Sequence, residues 1–298
     1  MITATQVKDL REKTGVGMME CKKALEESKG DMEKAIVWLR ERGMSRAAKK
    51  ADRVASEGIV EVYISEDQNS GVLLEVNCET DFVSKNEEFQ ALVRDAAALA
   101  LKNRTKSIAE VESLKLATGK TVKERVTELI AKIGENMQLR RVSVMTSTNG
   151  TVSGYSHMGG RIGTLVVLDG KKGAEITTLG KDLAMHVAAA SPRYLNSTEV
   201  NADELAQERE IARKKLIEEK KPEAMIEKIL DGQMKKFFKE VCLVEQSFVK
   251  DPDTQIAKLV EKTGGGAKLA GFTRFALGEG IEKKKEDFAA EVAATLKK

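Results

Sequence analysis

Apolar residues in the first fifty positions recur at helical spacing in three short stretches, which are separated by glycine-containing breaks. The first break, at positions 14–17, contains two glycines that permit positive φ. The second contains Gly30, and Asp31 is a favourable N-cap for the third stretch. Three short helices can share only a small core, which is typical of a binding domain. The basic positions 46–53 then predict a helical linker.

Beyond this linker the period of the pattern changes from helical to extended. Apolar residues alternate with others at 60–64 and 72–76, and the polar turn between them predicts a β-hairpin. A helix is predicted next, at 87–101. The same order returns later, with strands at 152–156 and 163–168 and a helix through 183–190. The repeat predicts a duplicated α+β unit with antiparallel sheets.

The remaining segments are predicted from amphipathic and charged patterns. An amphipathic helix at 122–133 leads into a strand at 139–146. Sparse apolar stripes on both sides of Pro222 predict a protruding antiparallel helical hairpin, a coiled coil, at 197–237. Further elements are strands at 241–244 and 272–277 and a short amphipathic helix at 287–296.

These patterns predict a multi-domain α+β protein. Its predicted parts are a three-helix N-terminal binding domain (1–52), a first core half (53–147), a second core half (148–196 and 238–279), a coiled-coil hairpin (197–237) and a C-terminal helical module (280–298). The length of 298 residues agrees with more than one domain.

Composition narrows the class of protein further. Fifty Lys and Arg against 47 Asp and Glu give a formal net charge of +3, which argues against a general polyanion binder. No window approaches the roughly 20 apolar residues that span a bilayer, and no apolar signal core opens the chain. Three widely spaced cysteines without a CxxC pair make a disulfide framework or zinc site improbable. We therefore expect a cytoplasmic protein with no membrane partner.

Fragments that resemble catalytic motifs are incomplete. Gly119-Lys120-Thr121 lacks the earlier glycine of a P-loop, because Leu114 stands in that place. Met158 replaces the second glycine of a nucleophile elbow. The chain has only two histidines, and Cys78 has no general base near it in sequence. We expect no catalytic residue, no metal site and no cofactor, which favours a binding protein over an enzyme.

The run NCETDFVSKN at 77–86 lies where a predicted strand meets a predicted helix. Two interpretations of Phe82 are open at this point. Its ring could pack on the following helix as an N-terminal staple. Alternatively, it could be a rigidly mounted aromatic side chain that inserts into a partner.

Five blocks of the sequence carry a family resemblance. They are TGVGMMECKKAL at 14–25, EVNCETDFV at 75–83, KIGEN at 132–136, AMHVAA at 184–189 and GEGIE at 278–282. In kind and order they resemble the bacterial translation elongation factor Ts family, and they span nearly the whole chain. The resemblance implies a guanine-nucleotide exchange factor for the GTPase elongation factor Tu. It also implies an N-terminal domain like ubiquitin-associated domains, a two-part core, a coiled coil and a C-terminal helical module.

The resemblance further implies the roles of particular residues. In the motif Thr80-Asp81-Phe82-Val83, Asp81 and Phe82 would enter between two helices of the partner and disturb its magnesium site. The other implied contact residues are Lys8, Arg11, Met18, Met19 and Lys22 on a second partner helix, Ile133 and Gly134, and His157 near a distal domain. For the pair Met18 and Met19, the alternative is that one of them faces the small core. Magnesium and GDP would belong to the partner.

A rival hypothesis is an RNA-binding or ribosome-associated protein without exchange activity. Its phosphate contacts would be the basic stretches at 49–50 and 283–285. The nearly balanced charge and the lack of an aromatic and basic platform argue against it. On the balance of charge we expect no direct binding of nucleic acid, and the partner that the family resemblance implies remains elongation factor Tu.

Overall fold

The structure is a computed structural model, and it describes residues 2–282. In that range the chain forms an α+β fold with eleven α-helices and eight strands. The helices are α1 Ala4–Thr14, α2 Met18–Glu27, α3 Met32–Lys50, α4 Asp81–Ser84, α5 Glu87–Asn103, α6 Ile108–Ser113, α7 Val122–Ile133, α8 Ala174–Ala190, α9 Ala202–Glu218, α10 Glu223–Val241 and α11 Ile256–Thr263. The strands are β1 Glu57–Ile64, β2 Ser70–Cys78, β3 Met137–Thr146, β4 Thr151–His157, β5 Ile162–Asp169, β6 Ser247–Phe248, β7 Asp251–Gln255 and β8 Lys268–Ala276.

The chain divides into two compact units, within each of which the residues contact one another in space. Among the described residues, the first unit contains 2–61, 74–142 and 276–282, and the second contains 62–73 and 143–275. Both units are larger than the predicted domains, whose boundaries stay predictions. No helix in the described range is both long and apolar enough to cross a bilayer.

The three N-terminal helices have an aliphatic core of their own. Thr3 and Gln6 form a capping box at the start of α1, and Gly15 ends that helix with φ 67°. The core is built by Val7, Leu10, Cys21, Ala24, Leu25, Ala35 and Leu39. Of the predicted helical linker 46–53, residues 46–50 are helical and continue α3 without a break, whereas 51–53 form a turn.

Helix α3 also packs against α7 within the first unit. Gly43 allows this approach, since a Cβ at that position would lie 3.0 Å from the Cβ of Ala131. Arg40 of α3 pairs with Glu124 of α7 at the same interface. The N-terminal helices are therefore fixed to the helix that ends next to the candidate site.

The predicted strands 139–146 and 272–277 each complete a sheet. The two three-stranded sheets have the orders β1-β2-β3 and β4-β5-β8, so the second strand of each hairpin lies in the middle. Strands β4 and β5 are antiparallel, with Thr151 opposite Leu168 and His157 opposite Ile162. Helix α8 packs on β4 and β5, and its buried residues form one core with α11.

Helices α9 and α10 form the predicted hairpin. They run antiparallel, since Arg209 contacts Asp231 at 3.4 Å, whereas Arg213, one turn later in α9, pairs with Glu227, one turn earlier in α10. Leu216, Ile226 and Leu230 make a small core near the tip. A separate cluster at the base contains Val200, Val241 and Cys242, packed with Tyr194, Leu205, Phe237 and Phe238. The term coiled coil stays a prediction for this pair.

One predicted element is wrong. The segment 241–244 is not a strand, because Val241 ends α10 and Leu243–Glu245 form a 3₁₀ turn. The apolar run is buried, and a short buried run does not by itself distinguish a strand from a helix end. The predicted helix at 287–296, the basic stretch 283–285 and most of the predicted module 280–298 lie outside the described residues.

Candidate functional site

The buried strand β2 ends at a thiol that cannot act as a nucleophile at neutral pH. Cys78 is fully buried, and its Sγ donates to the carbonyl oxygen of Thr80 at 3.1 Å. Burial, with the carboxylates of Glu135 and Glu57 nearby, raises the pKa of this thiol to about 12. Cys78 therefore shapes the turn that follows it and stays protonated.

Thr80 begins the short helix α4, which carries the motif predicted from the sequence. Its hydroxyl accepts a hydrogen bond from the Val83 amide at 3.5 Å. The Thr80 amide and hydroxyl both donate to Glu135, at 3.0 Å to Oε2 and 2.7 Å to Oε1. One carboxylate therefore holds Thr80 through two charge-assisted hydrogen bonds.

Phe82 is the most exposed large hydrophobic residue of the described range, with 79% of its surface accessible. Its neighbour Val83 is buried, so the turn places one apolar side chain inside and the other in solvent. The staple interpretation is wrong, because a ring exposed to this degree does not pack on α5. Lys85 lies close by, with its Nζ 2.7 Å from Asp81 Oδ2 and 6.0 Å from the centre of the Phe82 ring.

The segment after α7 lies against this turn. Gly134 ends α7 with φ 91°, a conformation that glycine adopts readily, and Ile133 before it is half-buried. The amide of Asn136 donates to Glu79 Oε1 at 2.6 Å. The structure therefore brings Ile133 and Gly134 into the neighbourhood of Thr80 through the two residues that follow them.

The N-terminal candidates lie on exposed surface of α1 and α2. Met18 and Met19 are 48% and 75% exposed, so the alternative in which one of them faces the core is wrong. Cys21 takes the core position instead. Lys8 and Lys22 make exposed pairs within their own helices, with Glu12 at 3.8 Å and Glu26 at 3.9 Å, and Arg11 is exposed. Exposed pairs of this kind are weak and cost little to rearrange.

His157, the last predicted contact residue, belongs to the second unit. It ends β4 on the surface, with its Nδ1 3.1 Å from the Tyr155 hydroxyl and the two rings stacked at 5.9 Å. Met158 follows in the left-handed region, with φ 49° and an exposed side chain. The tip of the β4–β5 hairpin therefore exposes the imidazole of His157 and the thioether of Met158 to solvent.

The other histidine is a core residue. His186 is fully buried, and its Nδ1 accepts a hydrogen bond from the Val249 amide at 3.2 Å. Its Nε2 therefore carries the proton and donates to Gln246 Oε1 at 3.0 Å. Burial lowers the pKa of this imidazole, so His186 is neutral and has a structural role.

Glu75 forms a buried ionic network that is not among the features predicted from the sequence. Its carboxylate is fully buried, 3.0 Å from Arg140 Nη1, and accepts from the Gly278 amide at 2.8 Å and from Arg141 Nε. Burial alone would raise the pKa of Glu75, but the Gly278 amide and the two guanidinium groups lower it overall. Arg141 also donates to the Ala276 carbonyl at 2.7 Å, which fixes the segment that ends the described chain.

Within residues 2–282 no group of three or more His, Cys, Asp or Glu side chains is arranged to hold a metal ion. The fold and the site define an α+β protein that presents an exposed aromatic side chain on a capped turn.

A comparison with known protein families gives the family. A family model described as elongation factor TS matches residues 79–279, about two thirds of the chain. This chain therefore belongs to the elongation factor Ts family, whose role is in translation elongation. The matched range includes Thr80–Val83, Ile133, Gly134 and His157. The N-terminal candidates lie outside it and rest on the sequence resemblance alone.

Proposed function

We propose that this protein is a guanine-nucleotide exchange factor that binds elongation factor Tu with GDP and promotes release of the nucleotide, so that GTP can bind. The family supports this role. The observation that carries it is Phe82, an aromatic side chain 79% exposed on a turn that is otherwise capped and anchored. An exposed ring with a fixed mounting suits insertion into a partner, because little ordering remains to be done on binding.

The proposed mechanism needs no covalent step. Magnesium and phosphate contacts hold GDP on the GTPase, so a partner that stabilises a state without those contacts accelerates release. In this proposal Asp81 and Phe82 enter between two helices of the GTPase and displace its magnesium site. The magnesium ion and the nucleotide belong to the partner, and the exchange factor contributes binding free energy only.

The size of the effect requires more than one contact. The coupling is reciprocal, so GDP weakens binding of the factor as much as the factor weakens binding of GDP. Loosening GDP a thousandfold requires about 4 kcal/mol, whereas burying one Phe contributes roughly 1.5–3 kcal/mol. We therefore propose a second contact through Lys8, Arg11, Met18, Met19 and Lys22. A third would be made by His157 on a distal domain of the partner.

Methionines suit the second contact, since their flexible thioethers adapt to a partner surface. Exposure of both Met18 and Met19 supports this part of the proposal. The proposal places the protein in the cytoplasm with the translation machinery, and it includes no direct nucleic-acid partner.

The first experiment is stopped-flow release of fluorescent GDP from purified elongation factor Tu, with and without this protein. We expect acceleration at substoichiometric amounts. No acceleration, with this protein folded and elongation factor Tu active, would contradict the proposed function.

Phe82→Ala should lower kcat/KM for exchange about 10- to 150-fold, the range that corresponds to losing burial of one Phe. The folded state should be unaffected, because the ring is already in solvent.

Ile211→Ala is the matched control for this substitution. Ile211 is an exposed apolar residue of α9, 62% accessible, and has no proposed contact with the partner. It should exchange at the wild-type rate. Equal rates for Phe82→Ala and wild type would show that insertion of Phe82 is not the mechanism.

A further inference from the structure

A continuous set of hydrogen bonds joins the end of α3 to the segment after α7. The Asn136 side-chain amide donates to two backbone carbonyls, Arg53 O at 2.8 Å and Ala51 O at 3.3 Å. Lys50, the last residue of α3, donates through Nζ to the carbonyl of Gly134. The C-terminal end of the N-terminal helices is therefore tied to residues 134–136 by three side-chain hydrogen bonds.

The segment 134–136 also binds the turn that carries Phe82 (residues 79–85, called the Phe82 turn below). The Asn136 backbone amide donates to Glu79 Oε1, and Glu135 accepts both hydrogen bonds of Thr80. Arg53 closes the set, with its Nη1 3.5 Å from Glu79 Oε2. Asn136 and Glu135 thus connect the turn that carries Phe82 with the end of α3, the helix that shares its core with α1 and α2.

The chemistry of these two residues fits a positioning role. Asn136 is buried, and its amide uses both of its N–H donors on carbonyl groups, which an aspartate could not do. The carboxylate of Glu135 uses one oxygen for the Thr80 amide and the other for the hydroxyl, which fixes the orientation of the turn as well as its distance.

We infer that Glu135 and Asn136 are positioning residues that hold the Phe82 turn in a fixed relation to the end of α3. The N-terminal helices and Phe82 then bind as one preorganised surface. Their positions relative to each other are set when the protein folds, and not when it associates with the partner. This inference rests on the proposed function and deepens it. Neither residue needs to touch the partner for the effect.

The expected cost of losing this order is moderate. Each side chain that has to be ordered on binding lowers the affinity by up to roughly tenfold. A turn that is no longer held in place should therefore lower the affinity or the exchange efficiency by about that factor. We expect Glu135→Ala to lower kcat/KM for exchange roughly tenfold while leaving the protein folded. Asn136→Asp should lower it at least as much and should also lower the free energy of unfolding, because it places a carboxylate against two carbonyl oxygens in a buried position. Glu135→Gln, which keeps one carbonyl acceptor, should lie between Glu135→Ala and wild type.

A double-mutant cycle with Phe82→Ala distinguishes positioning from a direct contact. If Glu135 acts through the turn, Glu135→Ala should lower exchange less than twofold when Phe82 is already absent. An equal loss in both backgrounds would overturn the inference. The matched control is Glu128→Ala, which removes a carboxylate of α7 that pairs with Lys120 and Arg125 and lies outside the network.

A second readout does not depend on exchange activity. Amide hydrogen exchange of residues 79–85 should become faster in Glu135→Ala and Asn136→Asp than in wild type and Glu128→Ala. Unchanged protection in both variants would overturn the inference even if wild type is an active exchange factor. The wild-type protein could also fail to accelerate GDP release from elongation factor Tu while these amides exchange hydrogen faster in the two variants. That result would support the positioning role and reject only the proposed function.

Discussion

At the scale of single residues, Glu75 is the buried charge on which the first unit depends. Its carboxylate is fully buried, whereas its two arginine partners are partly exposed. Glu75→Gln removes the negative charge that faces Arg140 and Arg141 and replaces one of the two acceptor oxygens by an amide group that only donates. We expect a loss of about 2–3 kcal/mol in the free energy of unfolding, measured by urea denaturation at pH 7. Glu210→Gln, at an exposed pair with Lys214, should change it by less than about 0.5 kcal/mol.

The same residue gives a dependence on pH with a definite sign. Because the folded-state pKa of Glu75 is lowered, its contribution is present above the unfolded-state pKa and is lost as pH falls through the folded value. The difference in unfolding free energy between wild type and Glu75→Gln should therefore shrink as the pH is lowered below the ordinary range of a glutamate. A difference that grows on acidification would contradict the assignment of Glu75 as the ionised centre of this network.

At the scale of elements, the α9–α10 hairpin has two separate cores, one at its tip and one at its base. Removing residues 209–231 takes away the tip core of Leu216, Ile226 and Leu230 and leaves the base cluster intact. We expect this deletion, closed by a short glycine linker, to exchange GDP within about twofold of wild type and to keep its thermal midpoint.

The longer deletion of 197–237 is the informative comparison. It removes Val200 and Phe237, which pack with Val241 and Cys242 at the base. Exposing those side chains should cost several kcal/mol, since each buried aliphatic or aromatic residue contributes about 1.5–3 kcal/mol. Thermal unfolding of the two deletion variants measures this directly, and equal midpoints would show that the base cluster does not belong to the core of the second unit.

At the scale of the whole molecule, the proposed contacts are distributed over both units. Phe82 and the N-terminal residues belong to the first unit and His157 to the second. If the units bind independently, the losses of affinity caused by Met19→Ala and His157→Ala should add within about 0.5 kcal/mol in the double variant. Equilibrium titration against nucleotide-free elongation factor Tu measures all four proteins, and a much smaller combined loss would indicate that the two contacts are coupled.

The sequence predicted elements with a strong local signal well. The predicted helix 122–133 coincides with α7, because its amphipathic stripe begins at the capping residue Thr121 and ends at Gly134. The pattern also predicts strands at 139–146 and 272–277, which are β3 and β8, the third strands of the two sheets. Short elements such as α6 and α11 were missed, and 241–244 was assigned to the wrong class, because few residues give too little periodicity.

The candidate site was predictable in its parts and not in its connections. The motif around Phe82 and the block KIGEN could be recognised in the sequence, but the hydrogen bonds that Thr80 donates to Glu135 join residues 55 positions apart. Glu75 gave one usable signal, an acidic residue that directly follows the apolar run 72–74 within a strand. Its partners Arg140, Arg141 and Gly278 come from two other segments, and local patterns do not encode such pairing.

The three native cysteines have a practical consequence for spectroscopy. Cys21, Cys78 and Cys242 are all buried, and burial raises the pKa of each thiol. Since the thiolate is the species that reacts with maleimide dyes, these side chains should remain unlabelled at neutral pH while the protein is folded. A fluorophore attached through Ile211→Cys would then report from one known place, without any native cysteine having to be replaced.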